Sequence, residues 1–137
     1  MAEIKGSVED RLDIHDLYAR YASAIDNAEY DDWLACFTED GVFESSRFGK
    51  HSGQEGLRKF TRIYRDSLGG AQVLHVITNV HFKIEAEAGM GSCYLVYYHC
   101  KDGRVQQAAA GRYKDTLRKV NGQWHFASRK VSLDGHH

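Results

Sequence analysis

Gln72-Val73-Leu74-His75-Val76-Ile77-Thr78-Asn79-Val80-His81-Phe82-Lys83-Ile84 is the stretch where the chain changes character. Upstream, apolar residues recur every three or four positions. From here on they fall in runs rich in Val, Ile, Tyr, Phe and Thr, the residues that suit a pleated surface. The stretch also contains a conflict. Val73, His75 and Ile77 share one parity, whereas Val80, Phe82 and Ile84 share the other. A slip of one residue exchanges the two faces of a strand. A bulge at Thr78-Asn79 therefore reunites both apolar sets on one side. His75 then faces the core, and His81, Lys83 and Glu85 face away. Without the bulge, His75 and His81 share a face. The bulge is the preferred reading.

Downstream, Ser92 to Cys100, Arg104 to Lys119 and Gln123 to Leu133 read as further strands. Gly89-Met90-Gly91, Lys101-Asp102-Gly103 and Asn121-Gly122 read as the turns between them, and Asn-Gly is the strongest short hairpin signal. Upstream, Ser7-Val8-Glu9-Asp10 fits a helix-opening capping pattern. Leu12, Ile14, Leu17, Tyr18, Tyr21, Ala22 and Ile25 follow as one apolar face. A shorter helix is expected over Tyr30 to Phe37, then a turn at Thr38-Glu39-Asp40-Gly41 and a short strand from Val42. Ser45 to Gly53 reads as a loop. Ser52-Gly53-Gln54-Glu55 opens a third helix with Leu57, Phe60, Tyr64 and Leu68 inward, closed by Gly69-Gly70. Helices first and antiparallel strands after predict an α+β fold, with helices packed on one face of a curved sheet.

A chain of 137 residues, 42% hydrophobic and 27% charged, suits one soluble domain, here residues 1–134. Gly135-His136-His137 looks like the start of an affinity tag. A formal charge of −1 with scattered basic residues gives no footprint for nucleic acid. No stretch approaches the roughly 20 apolar residues of a membrane helix. The polar N-terminus is no signal peptide, and Cys36, Cys93 and Cys100 lack CxxC spacing, so free thiols in a cytoplasmic protein are expected. Aromatic and aliphatic residues at both parities in Tyr94 to Tyr98 predict a homo-oligomer, a dimer or trimer, built on the outer face of the sheet.

Three segments carry a family resemblance. Ile14-His15-Asp16-Leu17-Tyr18-Ala19-Arg20-Tyr21, running on to Asp26 and then to Trp33 through Phe43, is the first. His75-Val76-Ile77-Thr78-Asn79 is the second, and Gly111-Arg112-Tyr113 with Asn121 to Phe126 and Arg129 is the third. In this order they resemble the SnoaL-like branch of the nuclear transport factor 2-like, or cystatin-like, superfamily along almost the whole chain. The resemblance implies a cone-shaped α+β barrel. It also implies kinship with scytalone dehydratase, a bile acid dehydratase and hexachlorocyclohexane dehydrochlorinase. The Asp–His pair of those enzymes maps onto Asp26 and His75. The dehydratases' helix tyrosine maps onto Tyr21 and the last-strand arginine onto Arg129. A further polar pocket residue falls at Tyr97 or His99.

The chemistry suits the residues. Abstraction of a proton beside a carbonyl or leaving group needs a base that is neutral near working pH, and histidine meets that need. A carboxylate on the other ring nitrogen fixes the tautomer and stabilises the imidazolium. A phenol at Tyr21 can donate to a leaving hydroxyl or an enolate, and Arg129 can hold an anionic or carbonyl group. The bland readings stand beside these: Asp26 as a solvated helix-end carboxylate, His75 and Tyr21 as core residues with one hydrogen bond, Arg129 as an edge ion pair. A metal triad of His75, His81 and Asp26 is disfavoured by the bulge, and no metal or cofactor is expected. No serine-hydrolase, dinucleotide or phosphate-loop motif occurs. The expectation is a cofactor-independent lyase, or a double-bond isomerase, acting on a hydrophobic small molecule. The alternative is a non-catalytic pocket or assembly module similar to the β subunit of ring-hydroxylating dioxygenases.

Overall fold

The computed structural model describes residues 6–134, and the expected tag lies outside them. Helix α1 (Val8–Asp26) opens as the sequence suggests: the Ser7 side chain accepts the Asp10 amide at 3.0 Å. Ile14, Leu17, Tyr18, Tyr21, Ala22 and Ile25 are buried along one face. Leu12 is 64% exposed. At about 100° per residue it lies on the opposite side of the helix from Ile14, so its place in the apolar series was a misreading. Helix α2 (Tyr30–Ala35) buries Trp33 and Leu34, and the chain passes at once into β1 (Phe37–Ser45). The turn expected at Thr38 to Gly41 is instead an irregularity within β1, where pairing jumps from Phe37 to Val42. The expected loop contains a short hairpin strand, β2 (Gly49–Ser52). Helix α3 (Gly53–Ser67) buries Leu57, Phe60, Thr61 and Tyr64; Ser52 occupies the N-cap without a side-chain capping bond.

Four long strands follow: β3 (Gln72–Glu85), β4 (Ala88–Lys101), β5 (Arg104–Val120) and β6 (Gln123–Leu133). With β1 and β2 they form one curved six-stranded sheet in the order β2-β1-β6-β5-β4-β3. Only the β1–β6 pair is parallel. Helix α1 lies over β3 and β6, and α3 over β1, so the core sits between the helices and one side of the sheet. The protein is α+β, as expected. Among the described residues no helix is long and apolar enough to cross a membrane.

Bulges curve this sheet and set which side chains point inward. In β3 the register shifts between Thr78 and His81, with Asn79 in the left-handed region at φ 55°. Val73 and Ile84 are buried and His75, Ile77, Val80 and Phe82 half-buried, while His81, Lys83 and Glu85 are exposed. In β6 Ala127 is the extra residue, so Trp124 and Phe126 point inward on one parity and Arg129 and Val131 on the other. The turn after β3 falls earlier than the glycines suggest. Glu85 pairs with Ala88, so the chain reverses at Ala86-Glu87, and Gly89, Met90 and Gly91 lie within β4. The glycines there serve close packing. A Cβ on Gly91 would collide with the Tyr18 hydroxyl, and one on Gly89 would stand 2.6 Å from the Ile84 side chain. Asn121-Gly122 does form its two-residue turn, with both residues at positive φ.

An ion pair crosses the core. Asp115 and Arg129 face each other across β5 and β6, with Nε–Oδ1 at 2.8 Å, Nη2–Oδ2 at 3.1 Å and no exposure of either side chain. The Tyr18 hydroxyl donates to Asp115 Oδ2 at 2.6 Å, and Arg129 Nη2 donates to Cys93 Sγ at 3.4 Å. Nη1 has no hydrogen-bond partner among the described residues. The guanidinium instead rests against aromatic faces, 3.8 Å from the Tyr113 centroid, 4.2 Å from Phe126 and 4.4 Å from Tyr21. Burial works against the Arg129 charge, but Asp115 and the surrounding Tyr21 and Tyr113 together outweigh it and hold the group protonated. Burial pushes the Cys36 and Cys93 thiols up to about 11, so neither is a thiolate nucleophile at neutral pH.

Candidate active site

Asp26 is the last residue of α1, an unfavourable place for an acid, since the carboxyl end of a helix carries partial negative charge. The edge strand β3 supplies what offsets this. At His75 the backbone N–H points out of the sheet and donates to both Asp26 oxygens, at 2.9 and 3.1 Å. The His75 ring turns the same way, with Nδ1 2.6 Å from Asp26 Oδ1. An ionised carboxylate can only accept, so Nδ1 carries the hydrogen of this contact, and in the neutral ring Nε2 keeps its lone pair. The two side chains are 10% and 13% exposed, enclosed but not sealed.

His75 opens onto a cavity of about 120 Å³ between the helices and the sheet. Its walls are largely apolar: Ile25 from α1, Phe43 from β1, Phe60 from α3, Leu95 from β4 and Val131 from β6. Tyr21, Tyr64, Tyr97 and Tyr113 also line it, with Ser45 and Arg47 on β1 and the turn after it. The Tyr97 ring lies 4.7 Å from the His75 ring and the Tyr64 ring 6.4 Å from it. The Tyr64 and Tyr97 hydroxyls are 2.7 Å apart. Burial raises the Tyr21 phenol above its ordinary value, with Arg129 partly opposing, so Tyr21 is a neutral donor near pH 7. Among the described residues no three His, Cys, Asp or Glu side chains group to hold a metal.

Of the residues singled out from sequence, the structure brings His75, Tyr21 and Tyr97 to one cavity, with Asp26 bonded to His75 but not on the lining. Arg129 and His99 do not line it. Arg129 stands behind the wall, bound to Asp115, because the β6 bulge turns it into the core; it braces Tyr21 and Tyr113, and its side chain has no exposure. His99 packs edge-on against Tyr97 at 5.1 Å, and its Nε2 is buried without a hydrogen-bond partner among the described residues. Tyr64 and Asp115 were not picked out beforehand. Tyr64 shows in the sequence only as an apolar-face residue of α3. Asp115 carries a clearer signal, a charge at the inward parity between Tyr113 and Leu117.

A curved sheet closed by helices over an apolar cavity, with a carboxylate–imidazole pair at its wall, defines a class of small pocket-bearing α+β cones. The chain belongs to the SnoaL-like domain family, whose model matches residues 6–130. Solved structures agree on the fold. Rv3472 of Mycobacterium tuberculosis, a protein of unknown function, is 27% identical, covering 94% of this chain and 76% of its own, with a TM-score of 0.83. An NTF2-like protein with a cystatin-like fold from Novosphingobium aromaticivorans is 21% identical over 94% of this chain and 85% of its own, TM-score 0.85. A Catenulispora acidiphila protein solved in complex with S-DNPA is 21% identical over 93% and 96%, TM-score 0.82. No curated protein matches.

Proposed function

We propose that this protein is a cofactor-independent lyase that eliminates water from a hydrophobic small molecule, with double-bond isomerisation as the same chemistry stopped short of loss of a group. The observation that carries this is the 2.6 Å contact between Asp26 and His75 at an apolar cavity. His75 Nε2 takes a proton from carbon next to a carbonyl, and the electron pair moves toward the carbonyl oxygen. Asp26 holds the tautomer and stabilises the imidazolium. The electrons then return to expel the β-hydroxyl, to which Tyr21 donates a hydrogen bond. The imidazolium gives its proton to that oxygen and water leaves. Substrate and product differ by one water, so no oxidant or metal is needed for the balance.

A panel of cyclic β-hydroxy ketones tests the reading. The wild type should convert at least one of them to the conjugated enone, seen as a rise in ultraviolet absorbance. Asp26→Asn should slow that conversion, because an amide cannot stabilise the charged imidazolium. Binding without conversion across the panel would instead favour a non-catalytic pocket module.

Outward-facing Leu74 and Val76 on β3 and Tyr94 on β4 are 50%, 41% and 45% exposed. They support a homo-oligomer, a dimer built on this side of the sheet. Sedimentation at micromolar concentration should show it, and a 15.6 kDa species alone would reject it.

A further inference from the structure

The turn between β1 and β2 brings two donors with nothing to donate to. Ser45 ends β1 and pairs with Gly49, so the chain reverses through Ser46, Arg47 and Phe48. The Ser45 hydroxyl oxygen accepts the Arg47 backbone N–H at 3.0 Å and that of Phe48 at 3.2 Å. Phe48 packs on Phe60 and Tyr64, with ring centroids 5.5 and 6.1 Å apart, and its carbonyl accepts from His51 Nε2 at 2.9 Å. The turn is thereby fixed, and the Arg47 guanidinium rests over the Phe48 ring, 5.1 Å from its centroid. Ser45 and Arg47 both line the cavity that holds His75. A hydroxyl has two lone pairs and one hydrogen. The two amides occupy the lone pairs of Ser45, and no described residue takes its hydrogen. Arg47 has five N–H donors, and among the described residues it has neither a hydrogen-bonded acceptor nor a carboxylate partner.

The geometry points to Ser45 and Arg47 as a subsite for an anionic group, and so to amphipathic carboxylates, apolar body in the cavity and charge at its mouth, as the ligand class. Among the described residues no Asp or Glu lines the cavity, and Asp26 is already taken up by the His75 backbone and ring. Burial raises the Tyr97 phenol while Tyr64 and Arg47 pull it back, so the guanidinium charge is felt at the wall beside His75. One cation with one hydroxyl suits a single negative charge, and the planar guanidinium fork matches the two oxygens of a carboxylate. Ser45 is 7% exposed and Arg47 is exposed, so the subsite grades from the interior to water. A carboxylate there sheds only part of its hydration. The apolar body supplies most of the affinity, and the charge pair sets which end of the ligand points inward. This inference rests on the cavity being the ligand site of the proposed elimination and adds a charged group which that reading does not require.

The probes are 2-naphthylacetate and 2-naphthylacetamide, alike in shape and different in charge, with binding followed by naphthalene fluorescence. The wild type should bind the acetate roughly 5- to 20-fold more tightly than the amide, the value of one half-solvated, hydrogen-bonded charge pair. Raising salt from about 0.05 M to about 0.5 M should shrink that preference by screening. Arg47→Gln should weaken acetate binding by the same factor, leave the amide within about twofold and remove the salt dependence. Arg47→Lys should keep part of the preference, because it restores the charge without the fork. Equal affinity of the wild type for the two probes, equal losses for both in Arg47→Gln, or a preference that persists in that variant would each overturn the inference. Conversion of the neutral cyclic β-hydroxy ketones reports on the elimination separately. If they are converted but the acetate is not preferred, the anion subsite fails and the elimination stands. If the acetate is preferred through Arg47 but no hydroxy ketone, with or without a carboxylate, is converted, the elimination fails and the subsite stands.

Discussion

Replacing Asp115 with alanine should cost the fold about 3–5 kcal/mol, the usual penalty for removing one partner of a buried ion pair. The change strands the Arg129 guanidinium in a place with no exposure, where Nη1 already lacks a hydrogen-bond partner. It also removes the acceptor of the Tyr18 hydroxyl. For a chain of this size the loss corresponds to a fall in Tm of roughly 10–20 °C. Asp115→Asn keeps the shape and one acceptor but not the charge, and should fall between the two. The double variant Asp115→Leu with Arg129→Met should recover much of the loss, since well-packed apolar groups often replace a buried pair at little cost. Thermal unfolding followed by circular dichroism measures all three. A drop of only a degree or two for Asp115→Ala would show that water reaches the pair and that the core does not depend on it.

His75→Ala should lower elimination, or exchange of the proton beside the carbonyl, by roughly 10²- to 10⁴-fold, the range for one positioned acid–base group. The fold should persist. His75 contributes its backbone N–H to Asp26 as well as its ring, and alanine keeps the former, so the carboxylate retains a donor. The stability cost is then near that of one hydrogen bond, about 1 kcal/mol. His75→Gln restores a donor to Asp26 without restoring a base, and should recover stability but not rate. Ligand binding should change little in either variant, so the loss should appear in turnover and not in affinity. Unchanged turnover in His75→Ala would remove the catalytic assignment and leave the cavity as a binding site.

Much of this was legible in the sequence because periodicity reports burial directly. The alternation that breaks between Ile77 and Val80 was visible as two sets of opposite parity, and the break is the bulge at Asn79. Asp26 and His75 stand 49 residues apart, and only the family resemblance brought them together. Pattern reading went astray where a local cue has two physical causes. Gly89 and Gly91 were taken as turn residues, yet they are strand residues against which Ile84 and Tyr18 pack. The family resemblance, not a local pattern, puts Arg129 on a ligand, and the one-residue insertion at Ala127 that turns it inward leaves no compositional trace. Tyr64 looked like any aromatic on an amphipathic helix. Its partner lies on a strand 33 residues away, and no local pattern announces a hydroxyl pair.

The bulge at Asn79 makes β3 a strand with two reading frames. On one side of it the frame presents Val73, His75 and Ile77 to the interior; on the other it presents Val80, Phe82 and Ile84. Exchanging one side chain for another within either half leaves both frames intact, so the half that carries the reacting group can diverge while the half that packs beneath α1 stays fixed. Losing a single residue between Thr78 and Val80 is a different kind of event. It merges the frames, and with the distal half held in place it would turn His75 to the solvent side along with its neighbours. The strand therefore tolerates spelling changes far better than a change of length.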